Sequence, residues 1–193
     1  ELAAVFRIRD GVIERALDLC TGSGCIGIAM AAHNPGWQVD LADISDEALA
    51  LARENVEFQD VGERVRVVKS DLFGSLAADR YDLSGSKPPD GIVREFAALP
   101  PEYGHEPKLG LTAGADGLDF ALRILAAAAD HLSDEGVLVV EVGESERALV
   151  DLLPLVPFNW IEFAVGQMGV FVLGRRELVE HADAIRRVSE ARR

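Results

Sequence analysis

Short apolar runs alternate with longer amphipathic segments along most of the chain. Each apolar run has the length of a strand, which predicts strands at 15–19, 39–42, 65–68, 81–83, 136–142, 160–165 and 170–173. The segments between them predict helices at 25–33, 46–58, 118–131 and 144–153. Strands that alternate with helices indicate a parallel sheet with helices on both faces. The short turn between the last two strands predicts an antiparallel hairpin in this otherwise parallel α/β sheet.

The chain divides most simply into one domain with two short flanks. Its 193 residues fit a single domain, which we expect over 15–175. Residues 1–14 alternate around Asp10-Gly11, which predicts a hairpin or the remnant of a linker. Residues 176–193 predict a charged C-terminal helix with a solvated face. Because the chain begins at Glu1 rather than at a methionine, we expect it to be part of a longer protein.

Acidic residues outnumber basic ones. Asp and Glu total 33 against 19 Lys and Arg, which gives a formal net charge of −14. Such a charge repels nucleic-acid phosphates, so no direct nucleic-acid partner is expected. It would attract a basic protein partner. Alternatively, the charge only keeps the protein in solution.

The cysteine, histidine and hydropathy patterns argue against several other classes of protein. Cys20 and Cys25 are too few for a disulfide framework or a zinc site, and they suit the reducing cytoplasm. The histidines lack metal-ligand spacing, so no metal is expected; they are His33, His105, His131 and His181. No apolar run approaches the roughly 20 residues that span a bilayer. No signal peptide is visible, so no membrane partner is expected.

A glycine-rich turn follows the first predicted strand. Residues 22–27 satisfy the pattern G-x-G-x-x-G between a strand and a helix, as a nucleotide cofactor site requires. Asp43 ends the next strand, 21 residues after Gly22, where its carboxylate can accept hydrogen bonds from both ribose hydroxyls. These features fit NAD and S-adenosylmethionine equally well.

Two further acids favour S-adenosylmethionine. Asp18 precedes Gly22 on the first strand, and a carboxylate there suits an amino group and a sulfonium better than a pyrophosphate. Asp71 follows the third strand, where an acid can meet an adenine amino group. Acids at the ends of three successive strands would therefore hold a positively charged nucleoside. The alternative interpretation is that Asp18 and Asp71 only cap turns.

The motifs around the glycine-rich turn form part of an ordered set. Its segments are 17–26 (LDLCTGSGCI), 43–45 (DIS), 48–49 (AL) and 70–73 (SDLF). Together they resemble the HemK-like protein glutamine methyltransferases. The segments 103–117 (YGHEPKLGLTAGADG), 141–143 (EVG) and 169–171 (GVF) are most similar to the branch that modifies a large-subunit ribosomal protein. The resemblance covers roughly 15–180.

The resemblance implies a Rossmann-like sheet of seven strands with the last one reversed, S-adenosylmethionine as methyl donor, and a glutamine side-chain amide as acceptor. The substrate would be a lysine-rich ribosomal protein, which the acidic surface fits. Residues 21–24 would pack against the methionine end of the cofactor, Asp43 would hold the ribose, and Asp71 and Leu72 would border the adenine. The predicted cofactor-binding residues are Asp18, Cys20, Thr21, Gly22, Ser23, Gly24, Asp43, Ile44, Asp71 and Leu72.

The sequence departs from the family pattern in two places. We expect this chain to lack the family's N-terminal helical domain, and Lys87-Pro88-Pro89-Asp90 stands where the family has its catalytic Asn-Pro-Pro-Tyr. An amide nitrogen is a weak nucleophile, so the enzyme must place it in line with the methyl group and accept its N–H groups. Pro88 keeps its carbonyl, but Lys87 has only donors, and its charge opposes a sulfonium. Asp90 supplies an acceptor without the tyrosine ring. We therefore hypothesise that the chain binds the cofactor but methylates glutamine slowly or not at all.

Other interpretations stay open on the sequence alone. Lys87 could swing away and leave a site that works with another acceptor. The chain could also be a cofactor-binding domain without catalysis, whose segment 84–91 was altered naturally or by engineering. An NAD-binding oxidoreductase is a third alternative, against which Asp18 argues. Related amide motifs can also serve adenine amino groups in DNA, but the net charge argues against that substrate.

Overall fold

The computed structural model describes residues 13–89, 116–163 and 169–192, and these contain one seven-stranded sheet. Its strands are β1 (Arg15–Leu19), β2 (Gln38–Asp43), β3 (Val65–Lys69), β4 (Tyr81–Ser86), β5 (Leu132–Glu141), β6 (Asn159–Trp160) and β7 (Val170–Gly174). They lie in the order β3-β2-β1-β4-β5-β7-β6. In this sheet β7 runs antiparallel to both of its neighbours, and the other pairs are parallel. The predicted α/β class, the mostly parallel sheet and the C-terminal hairpin are therefore confirmed.

Helices cover both faces of the sheet. The described helices are α1 (Cys25–His33), α2 (Asp46–Phe58), α3 (Asp119–Ala128), α4 (Glu146–Leu152), α5 (Arg175–Glu180) and α6 (Ala182–Glu190). One face is covered by α1 and α2, which pack on β1, β2 and β3. The other is covered by α3 and α5, with α6 packed on α3, so the domain has three layers. None of the described helices is long and apolar enough to cross a membrane.

β5 begins at Leu132, before the apolar run 136–142 that predicted it. Polar residues follow the buried Leu132, and one of them, Ser133, donates a hydrogen bond of 2.7 Å to Asp82 of β4. The pairing of β5 with β4 shifts in register just after Tyr81. Gly136 fits this irregularity because a Cβ there would lie 2.6 Å from the carbonyl oxygen of Tyr81. Because the residues near the start of the strand are polar, the hydropathy pattern did not predict that β5 begins at Leu132.

The C-terminal segment forms two helices where one was predicted. The chain breaks at His181, between α5 and α6. Leu178 and Ile185 are buried in the same core cluster as α3. Arg192 forms a bidentate ion pair with Asp116 through two hydrogen bonds of 2.6 Å. This pair holds the pKa of the Asp116 carboxyl below its usual range. The apolar face of the segment therefore packs on the domain, while the predicted boundary near residue 175 stays a prediction.

A polar cluster lies among the first halves of β1 to β4. The buried Asp40 accepts hydrogen bonds from Arg66 at 2.8 Å and from the Tyr81 hydroxyl at 2.7 Å. Arg15 and Arg66 also donate to Asp79, at 3.0 and 2.8 Å. Burial and the hydrogen bond to Asp40 raise the pKa of the Tyr81 hydroxyl, which therefore stays protonated. The cluster ties these strands together at the end away from the glycine-rich turn.

Candidate functional site

The carboxyl ends of the parallel strands bring the predicted site residues to one edge of the sheet. The turn 20–24 follows β1, Asp43 and Ile44 come at the end of β2, Asp71 and Leu72 follow β3, and Lys87 follows β4. Glu141 ends β5 at the same edge and was not among the predicted site residues. The predicted residues 90–115, which include Asp90 and His105, lie outside the described part of the chain.

The glycine-rich turn has a backbone that favours glycine at two positions and tolerates one cysteine. Gly22 and Gly24 have φ angles of 56° and 84°, and Cys20 has φ 60°. A Cβ on Gly24 would lie 3.0 Å from Ile28, whereas a Cβ on Gly22 would meet no atom within 4 Å. Gly24 therefore packs against the helix that follows, while Gly22 faces open space at the edge of the sheet, where a ligand can approach the backbone.

Asp18 lies buried beneath this turn. Its Oδ2 accepts a hydrogen bond from the Thr21 hydroxyl at 2.5 Å and from the Gly27 N–H at 2.8 Å. Its Oδ1 is buried and has no hydrogen-bond partner among the described residues. Asp18 thus caps the turn, as the alternative interpretation of the sequence has it, and its second oxygen is left without a partner among the described residues. Burial raises the pKa of Asp18 to about 6, against the two hydrogen bonds that lower it, and the nearby Asp43 adds to the rise.

The raised pKa of Asp18 predicts a pH dependence of stability. The folded state binds this proton more tightly than the unfolded state, whose pKa is near 3.8. The stabilisation is therefore full below about pH 4 and is lost as the pH rises through 6. Relative to Asp18→Asn, which cannot titrate, the wild type should lose about 2 kcal/mol of unfolding free energy between pH 4 and 7. Urea unfolding of both proteins across this range measures the difference, and parallel curves would contradict the prediction.

Asp43 joins the turn to β2. Its Oδ2 accepts from the Gly22 N–H at 2.9 Å, and its Oδ1 accepts from the Ser45 N–H at 2.9 Å. Each carboxylate oxygen can accept a second hydrogen bond, so Asp43 can also receive two hydroxyl donors. The next residue, Ile44, is 55% exposed and offers an apolar surface beside them. This pairing of a carboxylate with an apolar neighbour suits a nucleoside.

Asp71 and Leu72 lie farther along the same edge. The exposed Asp71 accepts a hydrogen bond of 2.8 Å from Arg123 of α3, a partner that the sequence did not reveal. Leu72 is buried and has φ 48°, so the chain turns sharply at this point. The contact of Asp71 with an adenine amino group stays a prediction, and the structure adds a cation beside that carboxylate.

Lys87 forms an ion pair with Glu141. Its Nζ lies 3.0 Å from Glu141 Oε1, and the two side chains are 49% and 21% exposed. The preceding residue, Ser86, donates a hydrogen bond of 2.8 Å to the carbonyl of Leu19, which fixes the end of β4 beside the start of the glycine-rich turn. Pro88 is buried and Pro89 is half-buried. The signal that could have revealed the pair is the position of both residues at the ends of neighbouring parallel strands.

Two segments of the ordered motif set meet next to Glu141. The Val142 N–H donates to the Gly169 carbonyl at 2.7 Å. A Cβ on Gly169 would lie 2.0 Å from the Gly143 carbonyl oxygen, and both glycines have positive φ angles. Only glycine allows this close approach of the two backbones. The two segments 141–143 and 169–171, which carry part of the resemblance, therefore pack against each other at the edge of the site.

The two cysteines are free thiols. Burial raises the pKa of Cys20 to about 12, so this thiol stays protonated and is not a nucleophile. Cys25 lies 3.0 Å from the Ser23 hydroxyl. Among the described residues, no group of three His, Cys, Asp or Glu side chains could hold a metal ion.

Comparison with known proteins finds methyltransferases that are similar to this chain. The model of the methyltransferase small domain matches residues 4–94. The ribosomal protein uL3 glutamine methyltransferase of Xanthomonas campestris pv. campestris is 54% identical over 180 residues, which cover 93% of this chain and 58% of that protein. The enzyme of that name from Xylella fastidiosa is 55% identical over 90% of this chain and 55% of its own length. The chain thus spans about half the length of the curated relatives it matches.

Solved structures show the same fold. A methyltransferase from Pyrococcus furiosus has a TM-score of 0.64 and 21% identity, over 90% of this chain and 80% of that one. The N-terminal domain of human METTL16, solved in complex with SAH, has a TM-score of 0.55 and 18% identity over 90% and 65% of the two chains. The chain therefore has the Rossmann-like fold of these methyltransferases. The sequence matches confirm the resemblance of this chain to the protein glutamine methyltransferases.

Proposed function

We propose that the chain binds S-adenosylmethionine at the edge formed by the glycine-rich turn, Asp43 and Asp71. The observation that carries this proposal is an open turn lined by carboxylates. Gly22 faces open space, and Asp18 beneath it keeps a buried oxygen without a partner among the described residues. An amino group or a sulfonium is favoured beside such carboxylates, whereas a pyrophosphate is repelled. When bound, the cofactor supplies an electrophilic methyl group.

In our proposal, different residues of this edge contact different parts of the cofactor. The turn 21–24 borders the methionine end. Asp43 accepts the ribose hydroxyls with the acceptor capacity left after its bonds to Gly22 and Ser45. Leu72 and Asp71 border the adenine, with Ile44 as an apolar surface beside the ribose.

We propose that the acceptor is a glutamine side-chain amide of a basic protein. The relatives at 54% and 55% identity are named for glutamine methylation of ribosomal protein uL3. The net charge of −14 favours a lysine-rich protein over a nucleic acid as partner. Free thiols at Cys20 and Cys25 suit the cytoplasm, which is the compartment expected for such a substrate.

Methyl transfer by this chain is slow or absent in our proposal. Lys87 stands at the family's asparagine, and an ammonium has no lone pair with which to accept an amide N–H. Pro88 retains a carbonyl, so the substrate amide would keep one of the two acceptors that orient it. Asp90 replaces the family's tyrosine and removes an aromatic wall. The chain would then act as a cofactor-binding domain with impaired catalysis.

Calorimetric titration with S-adenosylmethionine, S-adenosylhomocysteine and NAD tests the cofactor. We expect micromolar binding of the first two and none of NAD, and we expect Asp43→Ala to weaken both by at least about tenfold. A preference for NAD would favour the oxidoreductase alternative, and no binding of either S-adenosyl compound would overturn the proposal. In the same samples, intact-mass measurement of a large-subunit ribosomal protein substrate should show little or no added methyl group. Rapid, complete addition of one methyl group would contradict impaired transfer.

A further inference from the structure

We infer that Glu141 compensates the charge of Lys87 and thereby lets a cationic cofactor bind beside it. The inference rests on the proposed binding of S-adenosylmethionine. It goes further by assigning Glu141 a positioning role, in which it favours the charged methyl donor over its neutral product. The carrying observation is the ion pair of 3.0 Å between Glu141 Oε1 and Lys87 Nζ at the site edge.

Lys87 lies next to the start of the glycine-rich turn. Leu19 pairs with Ser86 in the parallel register of β1 and β4, and a hydrogen bond of 2.8 Å joins the same two residues. The residues that follow, Cys20 and Lys87, therefore leave the sheet about 5 Å apart, which is one strand spacing. A sulfonium seated against the turn would lie within the range over which partly buried charges interact.

The Lys87 ammonium disfavours a sulfonium nearby unless a negative charge balances the ammonium. Asp18 and Asp43 attract a cation from the side of β1 and β2, but the Lys87 ammonium repels it from the side of β4. Glu141 is only 21% exposed, so its carboxylate is screened less by solvent than a surface group. With Glu141 the pair has no net charge, and the acids near the turn then determine the local field.

The contrast between methyl donor and product isolates this effect. S-adenosylmethionine and S-adenosylhomocysteine differ by one methyl group and one positive charge at sulfur. A change in the charge near that sulfur shifts the affinity of the donor, whereas damage to the pocket weakens both ligands. The ratio of the two dissociation constants therefore reports on charge compensation and not on folding.

Titration calorimetry of two variants tests the inference. Glu141→Gln should weaken S-adenosylmethionine relative to S-adenosylhomocysteine on the order of tenfold. Lys87→Gln should change the ratio in the opposite direction, because it leaves the carboxylate without this ammonium. The double variant should return close to the wild-type ratio. Opposite signs for the two single variants cannot come from loss of structure.

Asp134→Asn is the matched control. Asp134 lies near the other end of the same strand as Glu141 and forms an ion pair of 3.5 Å with Arg175. The substitution Asp134→Asn therefore also removes one carboxylate from an ion pair. Its ligand ratio should equal that of the wild type. An unchanged ratio in Glu141→Gln, while the wild type binds both compounds, would overturn the inference and leave the proposed function intact. Failure of the wild type to bind either compound would overturn both.

Discussion

Gly27→Ala is expected to lower the free energy of unfolding by about 3 kcal/mol. Gly27 lies in the first turn of α1, where the helix passes close to β1 and β2. A Cβ there would lie 2.1 Å from Leu41 Cδ2 and 2.9 Å from Asp18 Cβ. Leu41 is fully buried, and its other methyl group already packs beside Gly24, so it has little room to move. A shift of the helix would stretch the 2.8 Å hydrogen bond from the Gly27 N–H to Asp18.

Urea unfolding measures this loss, and Gly36→Ala is the matched control. Gly36 lies in an exposed turn, where a Cβ would meet no atom within 4 Å, so its variant should stay within about 0.5 kcal/mol of the wild type. Adding Leu41→Ala to Gly27→Ala should cost less than the two single changes together, because the smaller side chain relieves the clash. Equal urea midpoints for Gly27→Ala and the wild type would show that the helix is not held this closely.

The glycine-rich turn was predictable because its requirements are local. The sequence places a strand, a G-x-G-x-x-G turn and a helix in order, and the structure has β1 and α1 at these positions. The start of α2 is also a local feature, because the Ser45 hydroxyl accepts a hydrogen bond from the Ala48 N–H at 3.2 Å. The start of β5 was not predictable from the sequence. The polar segment near its start depends on a hydrogen bond from Ser133 to Asp82 of β4.

The contacts that join distant segments were beyond the reach of sequence patterns. Alternation along β2 places Asp40 on a face of the sheet, but it does not reveal that Arg66 and Tyr81 bind it. In the same way, the sequence identified Lys87 as an anomaly, but its partner Glu141 depends on the order and register of β4 and β5. The predicted roles of the site acids follow from strand ends, which explains why Asp18 and Asp43 could be placed without the structure. Arg123 beside Asp71 lies on a helix 52 residues away.

Lys87→Asn combined with Asp90→Tyr is expected to raise the rate of glutamine methylation on the order of 100-fold over the wild type. The asparagine would supply the missing acceptor for an amide N–H next to the Pro88 carbonyl, and the tyrosine would restore the family's aromatic wall. Lys87→Asn alone should give part of the gain, because it also removes the ammonium from beside the methyl donor. Initial rates from intact-mass measurement of a large-subunit ribosomal protein, at saturating S-adenosylmethionine, measure the effect.

Lys69→Asn is the matched control for this gain. Lys69 ends β3 at the same edge of the sheet and pairs with Asp46 across an exposed contact, so its replacement removes a lysine charge without supplying an acceptor at β4. Its rate should stay at the wild-type level. If the double variant binds the cofactor as well as the wild type does and still transfers no faster, then Lys87 and Asp90 do not limit the reaction. In that case the limitation would lie in another step, such as how the substrate protein is held.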